Sequence, residues 1–185
     1  MSPVFSERGL IMERFVNLIV FLVLISFNPP CLVGGELCHK VDIWQKQLDD
    51  MPGIKLAAKR LKKEKKDWSN EKLDKVVAEY KKWLMLKKAF PDAPFPMLSD
   101  TVDAVWHAHI LYTREYHREC HQFFGEYLHH SPYGRLEDNL QKLGWERGVV
   151  DFDLFKAYYQ KLFNHKLLPP WNDAEALVNK FWSKF

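Results

Sequence analysis

The sequence predicts an all-α fold: a compact multi-helix domain behind an apolar N-terminal segment. Three observations predict it. Apolar residues recur every three to four positions, the spacing of one helix face. Ser69, Ser99 and Thr113 stand just before such runs, where a side-chain oxygen can satisfy free N–H groups. Prolines and glycines fall between the runs, and no pair of alternating segments reads as a strand pair.

The N-terminus differs from the rest. Residues 15–27 (FVNLIVFLVLISF) are apolar apart from Asn17 and Ser26, follow Arg8 and Arg14, and stop at Pro29-Pro30. A run this short suits a secretory signal better than a membrane span, which needs about 20 residues. Val33-Gly34-Gly35 offers small residues for cleavage, so residues 1–35 are expected to be a signal peptide, or an anchor if retained. Residues 36–185 form the single helical domain. The expected location is secreted or lumenal, with membrane contact only through an uncleaved leader.

Within that domain, Val41, Trp44 and Leu48 lie at helical spacing, and Met51-Pro52-Gly53 ends the segment. Ile54 to Lys66 carries Ile54, Ala57, Ala58 and Leu61 on one side and lysines around the rest. Ser69 caps a long helix through Leu73, Val76, Tyr80, Trp83 and Leu84 to Phe90-Pro91. PDAPFPML cannot be helical throughout. Ser99 caps the next helix, with Asp100 and Asp103 in its first turn. Thr113 reads as a further cap on a helix ended at Gly125, and residues 128–134 as a loop. Asp151 or Asp153 starts a helix through Phe163, and Asn172 or Asp173 starts the last one. The tryptophans fall mostly on apolar faces and read as core.

The net charge of +3 argues against a dedicated nucleic-acid binder. Lys59, Arg60, Lys62 and Lys63 could touch an anionic surface. Because the run also holds Glu64 and Asp67 and spreads around its helix, a solvated face is the plainer reading. No phosphate loop or dinucleotide fingerprint is present, so no nucleotide cofactor is expected.

Residues 99–134 hold the candidate site. Six of the chain's eight histidines, 107, 109, 117, 121, 129 and 130, lie there with Cys120. Imidazole and thiolate are the usual protein ligands of transition metals. Asp103 and His107 are four apart, so the carboxylate can hold one imidazole nitrogen. His107 and His109 are two apart and point about 200° from each other, so a regular helix cannot aim both at one ion. One of His129 and His130 could reach back to His107. His117, Cys120 and His121 share a face, but Arg118 stands where a zinc metalloprotease needs glutamate, and the two histidines read as solvent-facing.

Residues 80–133 resemble a domain shared by plant glycine-rich domain proteins and smaller bacterial relatives. The matching residues are Val102-Asp103, Trp106-His107-Ala108-His109, Leu111, Thr113, Tyr116, Cys120, Phe124-Gly125, and Leu128-His129-His130 before Pro132. The resemblance implies a helical, biochemically uncharacterised domain. It favours Asp103, His107, His109, Cys120, His129 and His130 as the metal set, zinc being the leading ion. No catalytic residue is implied. Two alternatives stay open: an interaction module with structural histidines, and a metal-dependent hydrolase or oxygenase. After leader removal Cys38 and Cys120 could pair in an oxidising compartment, which would take Cys120 out of any metal site.

Overall fold

A computed structural model describes residues 36–93, 95, 97–130 and 145–183. The expected leader and most of the expected loop at 128–134 lie outside the described residues. Among those described there are seven α-helices, one short 3-10 helix and no strands. The helices are α1 (Glu36–Asp50), α2 (Pro52–Glu64), α3 (Asn70–Ala89), α4 (Asp100–Ile110), α5 (Thr113–Phe124), α6 (Trp145–Phe163) and α7 (Asn172–Trp182). The 3-10 turn is Pro169–Trp171. None of the described helices is long and apolar enough to cross a membrane.

Local chemistry explains most boundaries. Ser69 Oγ accepts from Lys72 N–H, and Ser99 Oγ accepts from Val102 N–H, as the cap positions require. Pro52 occupies the first turn of α2, where a missing N–H costs nothing. Gly125 closes α5 in the left-handed region (φ 86°) and donates to His121 O. Two expectations change. Thr113 is the first helical residue of α5, and Tyr112 is its cap, with no side-chain bond. The helix expected from Asp151 or Asp153 runs from Trp145, and Asp151 is a buried residue within it.

The core is built around α4, which packs on α2 and α3. α3 buries Tyr80, Trp83, Leu84 and Leu86, and α4 buries Val102, Val105 and Trp106. Trp83 and Trp106 lie 4.6 Å apart. Each such fully buried side chain contributes about 1.5–3 kcal/mol. The C-terminal elements are tied to α3 by one buried carboxylate. Glu79 accepts from Tyr159 OH (2.8 Å), Trp171 Nε1–H (2.8 Å) and Lys82 Nζ (2.9 Å). Ser99 also donates to Pro170 O, joining the start of α4 to the 3-10 turn. The lysines at 59, 62 and 63 are exposed, as the solvated-face reading expects, and Arg60 pairs with Glu64 at 2.7 Å.

Candidate metal centre

α4 displays its two histidines on opposite sides. His107 has a 56 % exposed side chain and His109 a 3 % exposed one. The 200° offset between residues two apart produces this split.

On the open side, Asp103 is shared by two imidazoles. Its Oδ2 lies 3.3 Å from His107 Nε2 and its Oδ1 lies 3.1 Å from His130 Nε2. The two rings are 4.5 Å apart. One donor atom from each of Asp103, His107 and His130 lies within 4.8 Å of the others. Donors around one zinc ion stand about 3 Å apart, given metal–ligand bonds of about 2.0–2.2 Å. A small adjustment of side-chain torsions would therefore bring these three onto one ion.

His130 comes from the stretch after α5 and is held in place by a short relay. Its ring packs on Trp106 at 4.2 Å. Trp106 Nε1–H donates to Tyr116 OH (2.8 Å), and Tyr116 OH donates to Leu128 O (2.6 Å). Tyr116 thus fastens the backbone two residues before His130 to the indole on which His130 rests. Burial pushes the Tyr116 phenol far above its ordinary range, so it remains a donor.

On the closed side, His109 belongs to a different network. Its Nδ1 lies 3.0 Å from Tyr80 OH and its Nε2 lies 2.8 Å from Glu119 Oε2. Glu119 Oε1 accepts from Gly53 N–H at 2.7 Å, capping a free amide in the first turn of α2. The neutral Nε2–H tautomer of His109 satisfies every partner: Tyr80 donates to Nδ1, and Nε2–H donates to the carboxylate. Gly53 is required here. A Cβ at that position would stand 2.7 Å from His109 Nε2 and 2.8 Å from Glu119 Oε2.

Of the six residues expected as ligands, the structure gathers Asp103, His107 and His130. His109 is committed to Tyr80 and Glu119. Cys120 is a free, buried thiol on the core face of α5, beside Tyr116. Burial raises its pKa, which opposes the thiolate a metal needs. The side chain of Cys38 lies outside the described residues, and with it the expected pairing. His129 is exposed and touches Tyr127, because neighbouring residues in a non-helical stretch face different ways. α5 was expected to supply a ligand; it supplies Tyr116 as a brace instead. Sequence reasoning did not find the roles of Glu119, Tyr80, Glu79 and Gly53. The available signal was a glutamate on the apolar face of each of two helices, Glu79 in α3 and Glu119 in α5.

A family model described as UCP032817-like matches residues 45–146, more than half of the 185-residue chain, so the chain belongs to that family. The matched stretch contains all of Asp103, His107 and His130. No curated protein and no solved structure matches the chain.

Proposed function

We propose that this UCP032817-like protein is a small metal-binding domain whose ion is held by Asp103, His107 and His130. The observation that carries this reading is the shared carboxylate: one aspartate addresses two imidazoles from two separate segments, within ligand distance of one another. Two imidazoles and one carboxylate are a donor set found in hydrolytic zinc sites and in non-haem iron sites, which leave coordination positions open. Zinc is the preferred ion. When bound it would supply Lewis acidity and a water acidified to a pKa of about 7. The exposure of His107 leaves room for that water. The protein's own part is positioning: Asp103 orients both rings, Trp106 supports His130, and Tyr116 anchors the stretch that carries it. The resemblance to glycine-rich domain proteins belongs to this proposal because the six residues it favours include these three. So does the secretory route read from residues 15–27; N-terminal sequencing of the mature product should begin near Glu36.

Elemental analysis of gently purified protein, followed by a Co(II) titration watched in the visible spectrum, tests the metal reading. One site per chain is expected, lost in Asp103→Ala and in His107→Ala. A wild-type chain that takes up neither zinc nor cobalt overturns it.

A second reading has its own observation. Lys59, Lys62 and Lys63 are exposed around the end of α2, an arrangement suited to an anionic surface. In that reading the domain is an interaction module and its histidines are structural. Binding to anionic vesicles that is unaffected by chelators and lost in a Lys59, Lys62 and Lys63 charge reversal would support it.

A further inference from the structure

The outer face of α5 carries a histidine pair that the site above does not use. His117 and His121 are four residues apart, both exposed, with ring centroids 4.6 Å apart. We propose that this pair is a second, surface metal site, open and exchangeable, for late first-row divalent ions, Cu(II) above all.

Four features carry the inference. Residues four apart on a helix present their side chains one above the other, and two imidazoles so placed are a known way to grip a divalent ion. The two rings are neighbours across one turn, their planes tilted 55° to each other, and the donor atoms of two imidazoles on a common ion stand about 3 Å apart, a spacing that rotation of these exposed side chains can reach. His121 of the pair also lies in the last turn of α5. There Gly125 N–H caps His121 O, and the negative end of the helix dipole favours a cation. Finally, Tyr127 lies against His117 with ring centroids 5.8 Å apart and limits how far that ring can swing.

Cys120 does not join the pair. Its side chain is buried beside Tyr116 while both histidines are exposed, and burial raises its pKa, which favours the thiol. With two protein donors the site leaves its remaining positions to water or to a donor from outside. It should therefore be weaker than a three-ligand centre and follow the general order of affinities, in which Cu(II) exceeds Ni(II) and Zn(II). Exposed groups that load and release quickly are suited to collecting an ion at the surface.

The test uses the full chain with His107→Ala, which removes one ligand of the Asp103 site while changing only an exposed residue. Cu(II) is titrated by calorimetry, and Tm is measured with and without it. One copper site is expected. It should weaken by at least about tenfold in His117→Ala and likewise in His121→Ala, in line with the loss of a metal-site residue. Copper should raise Tm only when both histidines are present, because chelation ties two turns of α5 together. Unchanged copper affinity and an unchanged Tm response in the His117→Ala, His121→Ala double substitution would overturn the proposal. So would a parent chain that takes up no copper. Failure of the Asp103 site is read separately, from the wild-type Co(II) spectrum.

Discussion

His107 and His109 stand two residues apart on α4 and meet opposite environments. His107 faces solvent, shares Asp103 with His130, and keeps donor capacity in reserve. His109 is enclosed, with both ring nitrogens engaged by Tyr80 and Glu119. The difference teaches that a histidine's chemistry is set by its helix face more than by its motif. A ring whose nitrogens are already satisfied in the core adds to stability and specificity. A ring that is half in water costs little to change and can bind something.

The largest expected effect lies on the closed side. Glu119→Ala would strand His109 and leave Gly53 N–H without its acceptor. Each buried donor left without an acceptor costs about 1–3 kcal/mol, and the summed loss would appear in urea denaturation as a lower midpoint at unchanged slope. Gly53→Ala attacks the same network sterically and should also destabilise, since the new methyl would overlap His109 and Glu119. A stability loss in Glu119→Ala no greater than that of an exposed substitution would break the comparison.

Alkaline pH should strike the buried networks, the closed side among them. Burial raises the Cys120 thiol above its ordinary 9.0 and the Tyr80 and Tyr116 phenols above their ordinary 10.0. Burial, with Glu79 alongside, does the same to Tyr159. For each group the folded state holds its proton more tightly than the unfolded state does. Their contribution is therefore complete below about pH 9 and is lost as pH rises through and beyond the ordinary values. Tm measured from pH 8 to pH 11 should fall progressively. Phenolate absorbance from these tyrosines should appear only with unfolding, and early phenolate signal in the folded protein would contradict their enclosure.

An intermediate effect is expected for Tyr116→Phe, which links the two sides. It removes the acceptor for Trp106 and the donor to Leu128 O, at a cost of about 1–3 kcal/mol. In the proposed metal site it should also weaken Co(II) by about 10–100-fold, the range for residues that orient a ligand. Lost stability with undiminished cobalt affinity would show that the relay does not position His130.

The smallest stability effect belongs to His107→Ala, within about 0.5 kcal/mol because the ring is exposed. Its zinc and Co(II) uptake at the Asp103 site, by contrast, should vanish. Comparing this variant with His109→Ala, which should be strongly destabilised, is the sharpest single contrast between the two faces. The sequence pairs Asp103 with His107 but does not say which histidine of α4 is enclosed. The pairing is present at 3.3 Å, but the burial belongs to His109.

Much of the helical layout was legible because it is local. Ser69 and Ser99 cap through their own next turn, Gly125 ends α5 through its own backbone, and the apolar spacing of α3 marks most of its buried face. The Asp103–His107 pairing was legible for the same reason, as residues four apart on one helix must meet. What joins residues far apart in the chain was not. Gly53 and Glu119 are 66 positions apart, Glu79 and Trp171 are 92, and no periodicity encodes either bond. Nor could spacing decide between His129 and His130, or turn Cys120 from a ligand toward the core. By itself the sequence determined which segments are helical, where they stop, and that one segment concentrates metal-binding side chains. Tertiary packing alone decided which of those side chains converge. Burial assigns each helix face to core or solvent, and only the docking of α2, α3 and α5 around α4 closes one histidine in and leaves the other open.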